Sequence, residues 1–109
     1  MDKKKKRIIG SGDKIYKNLS DWTFKGNVYK NFDSHINKSV PLYFETHDLY
    51  LKLSDFFLQE KSKIVDIGCS TGTFLFKVFE RHKKNHKKLI FVGIDNTKEM
   101  IRHCIKKNK

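Results

Sequence analysis

Val65-Asp66-Ile67-Gly68-Cys69-Ser70-Thr71-Gly72 is the most informative stretch of this chain. The short apolar run Ile64-Val65-Asp66-Ile67 stops at Gly68, the pattern of a buried strand bounded by a turn. Gly68 and Gly72 punctuate that turn, and Phe74, Leu75, Val78 and Phe79 then recur at helical spacing, with the helix fraying into Arg81–Lys88. Leu89-Ile90-Phe91-Val92-Gly93-Ile94 forms a second strand-like run, closed by Asp95. Asn96 and Glu99, three apart, read as a capping box, and Met100, Ile101, Cys104 and Ile105 make the inner face of a last helix. Strand, glycine turn, helix, strand, acid, helix is a βαβα unit, and a parallel sheet follows from it. The expected class is α/β, a partial Rossmann-like fold.

Upstream, the character differs. Residues 1–20 are polar, aperiodic and broken by Gly10 and Gly12, which predicts a flexible basic arm. Between Trp22 and Phe57 nine aromatics fall in 36 residues. Val28, Phe32 and Ile36 recur every four residues behind a helix entry at Gly26-Asn27, and Ser39-Val40-Pro41 interrupts the pattern. Leu42, Leu49, Leu53, Phe56 and Phe57 then line one side of a second helix ending near Leu58, and these apolar residues are expected in the core. The division is thus an arm over 1–20, a helical segment over 21–60 and the βαβα unit over 61–109.

Charge narrows the function classes only partly. With 24 Lys+Arg against 12 Asp+Glu among 109 residues the formal charge is +12. Residues 1–30 carry +6, residues 31–60 carry −3 and residues 61–109 carry +9, which excludes a uniform basic coat. Just three of the basic residues, Arg7, Arg81 and Arg102, are the type suited to bidentate phosphate or base contacts. The run Lys3–Arg7 reads as a solubilising tail before it reads as a nuclear signal or an RNA-binding arm. No apolar stretch approaches the ~20 residues of a membrane span, and no apolar segment follows the charged N-terminus as in a secretion signal. Cys69 and Cys104 give neither a disulfide framework nor paired metal spacing, so a cytoplasmic setting is expected.

The glycines and the aspartates carry the chemistry. A strand turning sharply into a helix presents backbone N–H groups, and glycine lets a ligand approach them. Asp95 ends the second strand 23 residues after Gly72, where an acid can accept both hydroxyls of a ribose. Three ligand classes compete. A dinucleotide calls for a third glycine, and bulky Phe74 stands where close helix packing would need it. Gly68-Cys69-Ser70-Thr71-Gly72 also reads as a hydrolase elbow with Ser70 as nucleophile, but residues 71–109 leave little room for the acid and histidine that must follow. S-adenosylmethionine needs a glycine turn, an acid at the end of the second strand and an acid just before the first glycine, and Asp66 supplies the last.

Val65–Gly72 resembles the first motif of class I S-adenosylmethionine-dependent methyltransferases, and Gly93-Ile94-Asp95-Asn96-Thr97 with Met100-Ile101 resembles their second. Asp21-Trp22-Thr23-Phe24, Phe32-Asp33 and Lys38-Ser39-Val40-Pro41-Leu42-Tyr43 look like the N-terminal region of carboxy-S-adenosylmethionine synthase and its relatives, proteins of tRNA wobble-uridine modification. This resemblance spans about residues 21–105. It implies that Gly68, Cys69 and Ser70 contact the methionine part of S-adenosylmethionine or carboxy-S-adenosylmethionine, with Gly72 completing the turn. It further implies that Asp95 holds the ribose, that Asn96 and Met100 flank the adenine, and that Tyr43 reaches the carboxylate end, whereas a core tyrosine is the plain alternative. The synthase turn usually reads Leu-Gly-Ala where this chain has Thr71-Gly72-Thr73, so an ordinary methyltransferase of the same group is an equal expectation. Family members continue for about as long again. The chain therefore reads as the N-terminal half of such a domain, with an uncovered sheet, a missing half or self-association, and tRNA as a possible acceptor.

The remaining signals have plain readings. His82 and His86 have metal-ligand spacing, but Lys83, Lys84, Lys87 and Lys88 would repel a cation, so both are expected on a solvated surface and no metal site is expected. His35 and His47 are expected on polar helix faces. Cys69 at a helix N-terminus has the setting that lowers a thiol pKa, yet no base partner is evident. Catalytic residues are not identifiable at this level.

Overall fold

The computed structural model describes residues 26–85 and 88–109. The arm, the Lys3–Arg7 run, Asp21–Phe24 and His86 lie outside the described residues. A 3-10 turn, Gly26–Asn31, runs into helix α1, Phe32–Ser39, and helix α2 follows over Tyr43–Phe57. Strand β1, Lys63–Ile67, leads into helix α3, Thr73–His82, and a short 3-10 turn follows. Strand β2, Ile90–Ile94, and helix α4, Lys98–Lys107, complete the order. The strands pair in parallel with Asp66 opposite Gly93 and Ile67 opposite Ile94, so the expected βαβα unit is present.

Val28 and Phe32 bury against Met100 of α4, with Tyr29 and Ile36 packed beside them. The four-residue spacing thus marks a real inner face, although its first turn is 3-10 instead of α. Pro41 and Leu42 set the start of α2, where Leu42 takes a left-handed φ of 59° as N-cap and stays exposed.

Three expectations about burial are corrected. Leu49, Leu53, Phe56 and Phe57 are exposed, because α2 packs on α1 and α3 through its other side and no described element covers this one. The strands are not buried on both faces: Ile64 and Asp66 point to the helix-covered side, while Val65 and Ile67 alternate onto one that no described element covers, with Ile67 83 % exposed. Two strands followed by one helix each cannot clothe both faces. His35, His47 and His82 are buried, not on polar faces. His82 follows Leu75 and Val78 on the inner stripe of α3 and meets Ser54 Oγ at 2.7 Å through Nε2.

The capping box is also absent. The N-cap of α4 is Thr97, and Asn96 Oδ1 accepts from the Thr97 hydroxyl (3.3 Å) instead of capping the helix. No helix among the described residues is long and apolar enough to cross a membrane.

Candidate functional site

The glycine turn is fastened to the carboxyl ends of both strands. Gly68 and Cys69 both donate their N–H to Ile94 O, at 2.7 and 2.9 Å, and Gly72 donates to Cys69 O at 2.8 Å. Ser70 donates its N–H to Asp95 Oδ2 at 2.9 Å, and the other Asp95 oxygen accepts from Thr97 N at 2.8 Å. The N–H groups of Gly68, Cys69, Ser70 and Gly72 are therefore engaged inside the protein. Beside the turn stand two carboxylates, that of Asp66 in the cavity wall and that of Asp95, which keeps lone pairs beyond those used by Ser70 and Thr97.

Backbone shape explains the residue types. Gly68 (φ 79°) and Gly72 (φ 75°) occupy the left-handed region, and Ser70 does so with a side chain (φ 47°). Space beside Gly68 is open, whereas a Cβ on Gly72 would overlap the Cys104 sulfur and stand 3.2 Å from Asn108 Nδ2. Gly68 thus leaves room on the cavity side, and Gly72 admits the close approach of α4.

A cavity of about 260 Å³ opens against this turn, lined by Tyr43, His47 and Tyr50 of α2, Asp66 of β1, Gly68, Cys69 and Ser70 of the turn, and Thr73 and Phe74 of α3. The rings form a row: Tyr43 to His47 at 4.5 Å, His47 to Phe74 at 5.1 Å, and Phe74 to Tyr50 at 6.1 Å between centroids. Burial, and then the nearby charge of Asp95, raises the Asp66 carboxyl above its ordinary value. Burial likewise raises the Tyr43 phenol, helped by Asp33 and Asp66, so the hydroxyl stays a donor at neutral pH. His47 is pushed down by burial and by Lys77, which keeps its ring neutral. Burial pushes the Cys69 thiol up to about 11, against the lowering expected at a helix N-terminus, and its side chain is packed in the interior. Its sulfur lies over Gly93, where a Cβ would come within 2.8 Å.

Of the residues singled out in the sequence, Tyr43, Asp66, Gly68, Cys69 and Ser70 share this cavity, and Asp95 joins it through Ser70. Gly72 lies behind it, against α4. Asn96 is exposed beside Asp95, and Met100 is sealed in the core with Val28 and Phe32, so neither lines the cavity. His47, Tyr50, Thr73 and Phe74 line it without having been foreseen. Tyr43, His47 and Tyr50 sit at i, i+4 and i+7, one face of a helix, and that spacing was the available signal.

Residues 58–109 match the family described as "Methyltransferase domain". The chain is 40 % identical over 86 residues to the carboxy-S-adenosyl-L-methionine synthase of Nautilia profundicola, covering 79 % of this chain and 34 % of that protein. Similarity to the synthase of Campylobacter hominis is 37 % over 98 residues (88 % and 40 %), and to that of Trichodesmium erythraeum 41 % over 80 residues (73 % and 30 %). The chain thus spans about a third of the length of these relatives.

Proposed function

From the match of residues 58–109 to a methyltransferase domain and the similarity to carboxy-S-adenosyl-L-methionine synthases, we propose that the cavity of this chain binds S-adenosylmethionine or carboxy-S-adenosylmethionine. One observation carries the reading: the Asp66 carboxylate and the rings of Tyr43, Tyr50 and Phe74 line the cavity beside a glycine turn of which four N–H groups are already engaged. A phosphate needs free N–H groups, and those of Gly68, Cys69, Ser70 and Gly72 are taken. An ammonium and a sulfonium need carbonyls, carboxylates and aromatic rings, and Asp66, Asp95, Tyr43, Tyr50 and Phe74 supply these around the turn.

In this reading Asp66 and the turn carbonyls hold the amino-acid end, and the Tyr43 hydroxyl donates to its carboxylate. Asp95, already oriented by Ser70 and Thr97, keeps lone pairs for two ribose hydroxyls. The bound sulfonium supplies an electrophilic carbon for group transfer. The residues of this chain contribute by fixing that ligand, which is the larger part of catalysis by approximation. We propose group transfer within tRNA wobble-uridine modification, in the cytoplasm, as the setting; the net charge of +12 and the two free thiols agree with it.

A second reading, an RNA-associating protein with no cofactor, is favoured by the exposed Lys83, Lys84 and Lys88 beyond α3. Calorimetric titration of S-adenosylmethionine into the chain and into Asp66→Asn separates the two. Asp66 is the better variant because Asp95 also ties down two backbone N–H groups. Saturable binding weakened about tenfold or more in the variant, the scale of a hydrogen bond to a charged group, supports the cofactor reading. Salt-dependent RNA binding with no heat from S-adenosylmethionine supports the other.

A further inference from the structure

Asp33 lies outside the cavity and has no part in the reading above, yet three elements meet on its carboxylate. Its Oδ1 accepts from the Thr71 hydroxyl at 2.8 Å and from the Thr73 hydroxyl at 2.9 Å. Its Oδ2 accepts from Lys107 Nζ at 2.7 Å, and Lys107 also donates to Thr73 Oγ1 at 2.8 Å. Burial alone would raise this carboxyl, but Lys107, Thr71 and Thr73 together outweigh it and hold Asp33 below the ordinary carboxylate range. The clamp is therefore ionised and charge-assisted at neutral pH.

The apolar core places both jaws. Phe32, the neighbour of Asp33 on α1, packs against Met100, and Met100 and Lys107 stand two turns apart on one face of α4. Between the jaws lies a backbone segment that needs holding: Ser70 is left-handed with a side chain, and such a conformation persists only where the surroundings over-determine it. Asp95 fixes its first half through Ser70 N, and Asp33 grips the second half through Thr71, which is fully buried, and Thr73, which lines the cavity.

We propose that Asp33 is a positioning residue for the ligand loop: with Lys107 it keeps Thr71–Thr73 in place, so that the wall made by Cys69, Ser70 and Thr73 is preformed before any ligand arrives. The consequence for affinity rests on the S-adenosylmethionine reading, whereas the holding itself does not.

Amide hydrogen exchange on the full ligand-free chain is paired with calorimetric titration by S-adenosylmethionine. Both are run on the wild type, Asp33→Asn, Thr73→Val and the double variant. In Asp33→Asn the amides of residues 71–74 should exchange about tenfold faster while those of β1 and β2 are unchanged, and S-adenosylmethionine should bind about tenfold more weakly. Because Thr73 is held through Asp33, the double variant should bind no more than about twofold more weakly than the weaker-binding single variant. Unchanged loop exchange, unchanged affinity in a loosened loop, or penalties that multiply would each overturn the proposal. If the wild type takes up no S-adenosylmethionine, the cofactor reading fails and the exchange comparison still decides the loop. Should Asp33→Asn unfold the chain, Lys107→Met, at a half-exposed position, must show the same loop-specific loosening; if it does not, the proposal falls.

Discussion

Asp66 carries its carboxylate into a cavity where no described residue donates a hydrogen bond to it, and its raised pKa has a cost in the absence of ligand. An acid whose folded pKa lies above the unfolded value loses stability as pH rises from the ordinary value of 3.8 through the raised one. Asp66→Asn should therefore melt higher than the wild type at pH 7 and no higher below the ordinary value, while losing affinity for a cationic ligand; thermal unfolding at both pH values checks this. Gly72→Ala should act in the opposite sense. The left-handed φ and the Cys104 sulfur both oppose a Cβ there, so a loss of about 2 kcal/mol or more is expected by denaturant titration. Asp66, the glycines and Asp95 were legible because turn chemistry is written in residue type. The engagement of the turn N–H groups was not, since it depends on Ile94 O lying opposite the turn, which only strand register fixes.

Among the elements, α2 and α4 separate what periodicity reveals from what it leaves open. Spacing showed which residues share a face, but not whether another element covers that face. On α4, Met100 is met by Val28 and Phe32, and Met100→Ala should cost about 2–5 kcal/mol, measured by urea unfolding. On α2, Phe56 and Phe57 are largely exposed, so changing either to Ser should alter stability by less than about 0.5 kcal/mol in the same assay. His82 gives the converse lesson. Its lysine neighbours suggested solvent, yet its place seven residues after Leu75 put it on the buried stripe of α3. The clamp of Asp33, Thr71, Thr73 and Lys107 was invisible in sequence because its members are up to 74 residues apart.

Across the whole molecule, the parallel pair, the crossover helix and the site at the carboxyl ends of the strands were readable from the change of period at Lys63. Val65, Ile67, Ile90 and Ile94 are exposed on the side of the sheet that no described residue covers. The site on the other side is assembled from α2, β1, the turn and α3, all within the described residues. The central claim is that this assembly recognises a cation through acceptors and not a phosphate through donors. Calorimetric competition between S-adenosylmethionine and adenosine diphosphate on the full chain tests it most directly. The account predicts saturable S-adenosylmethionine binding that Asp66→Asn weakens and adenosine diphosphate leaves untouched. Binding of adenosine diphosphate at the same site, with S-adenosylmethionine indifferent to Asp66, would contradict it.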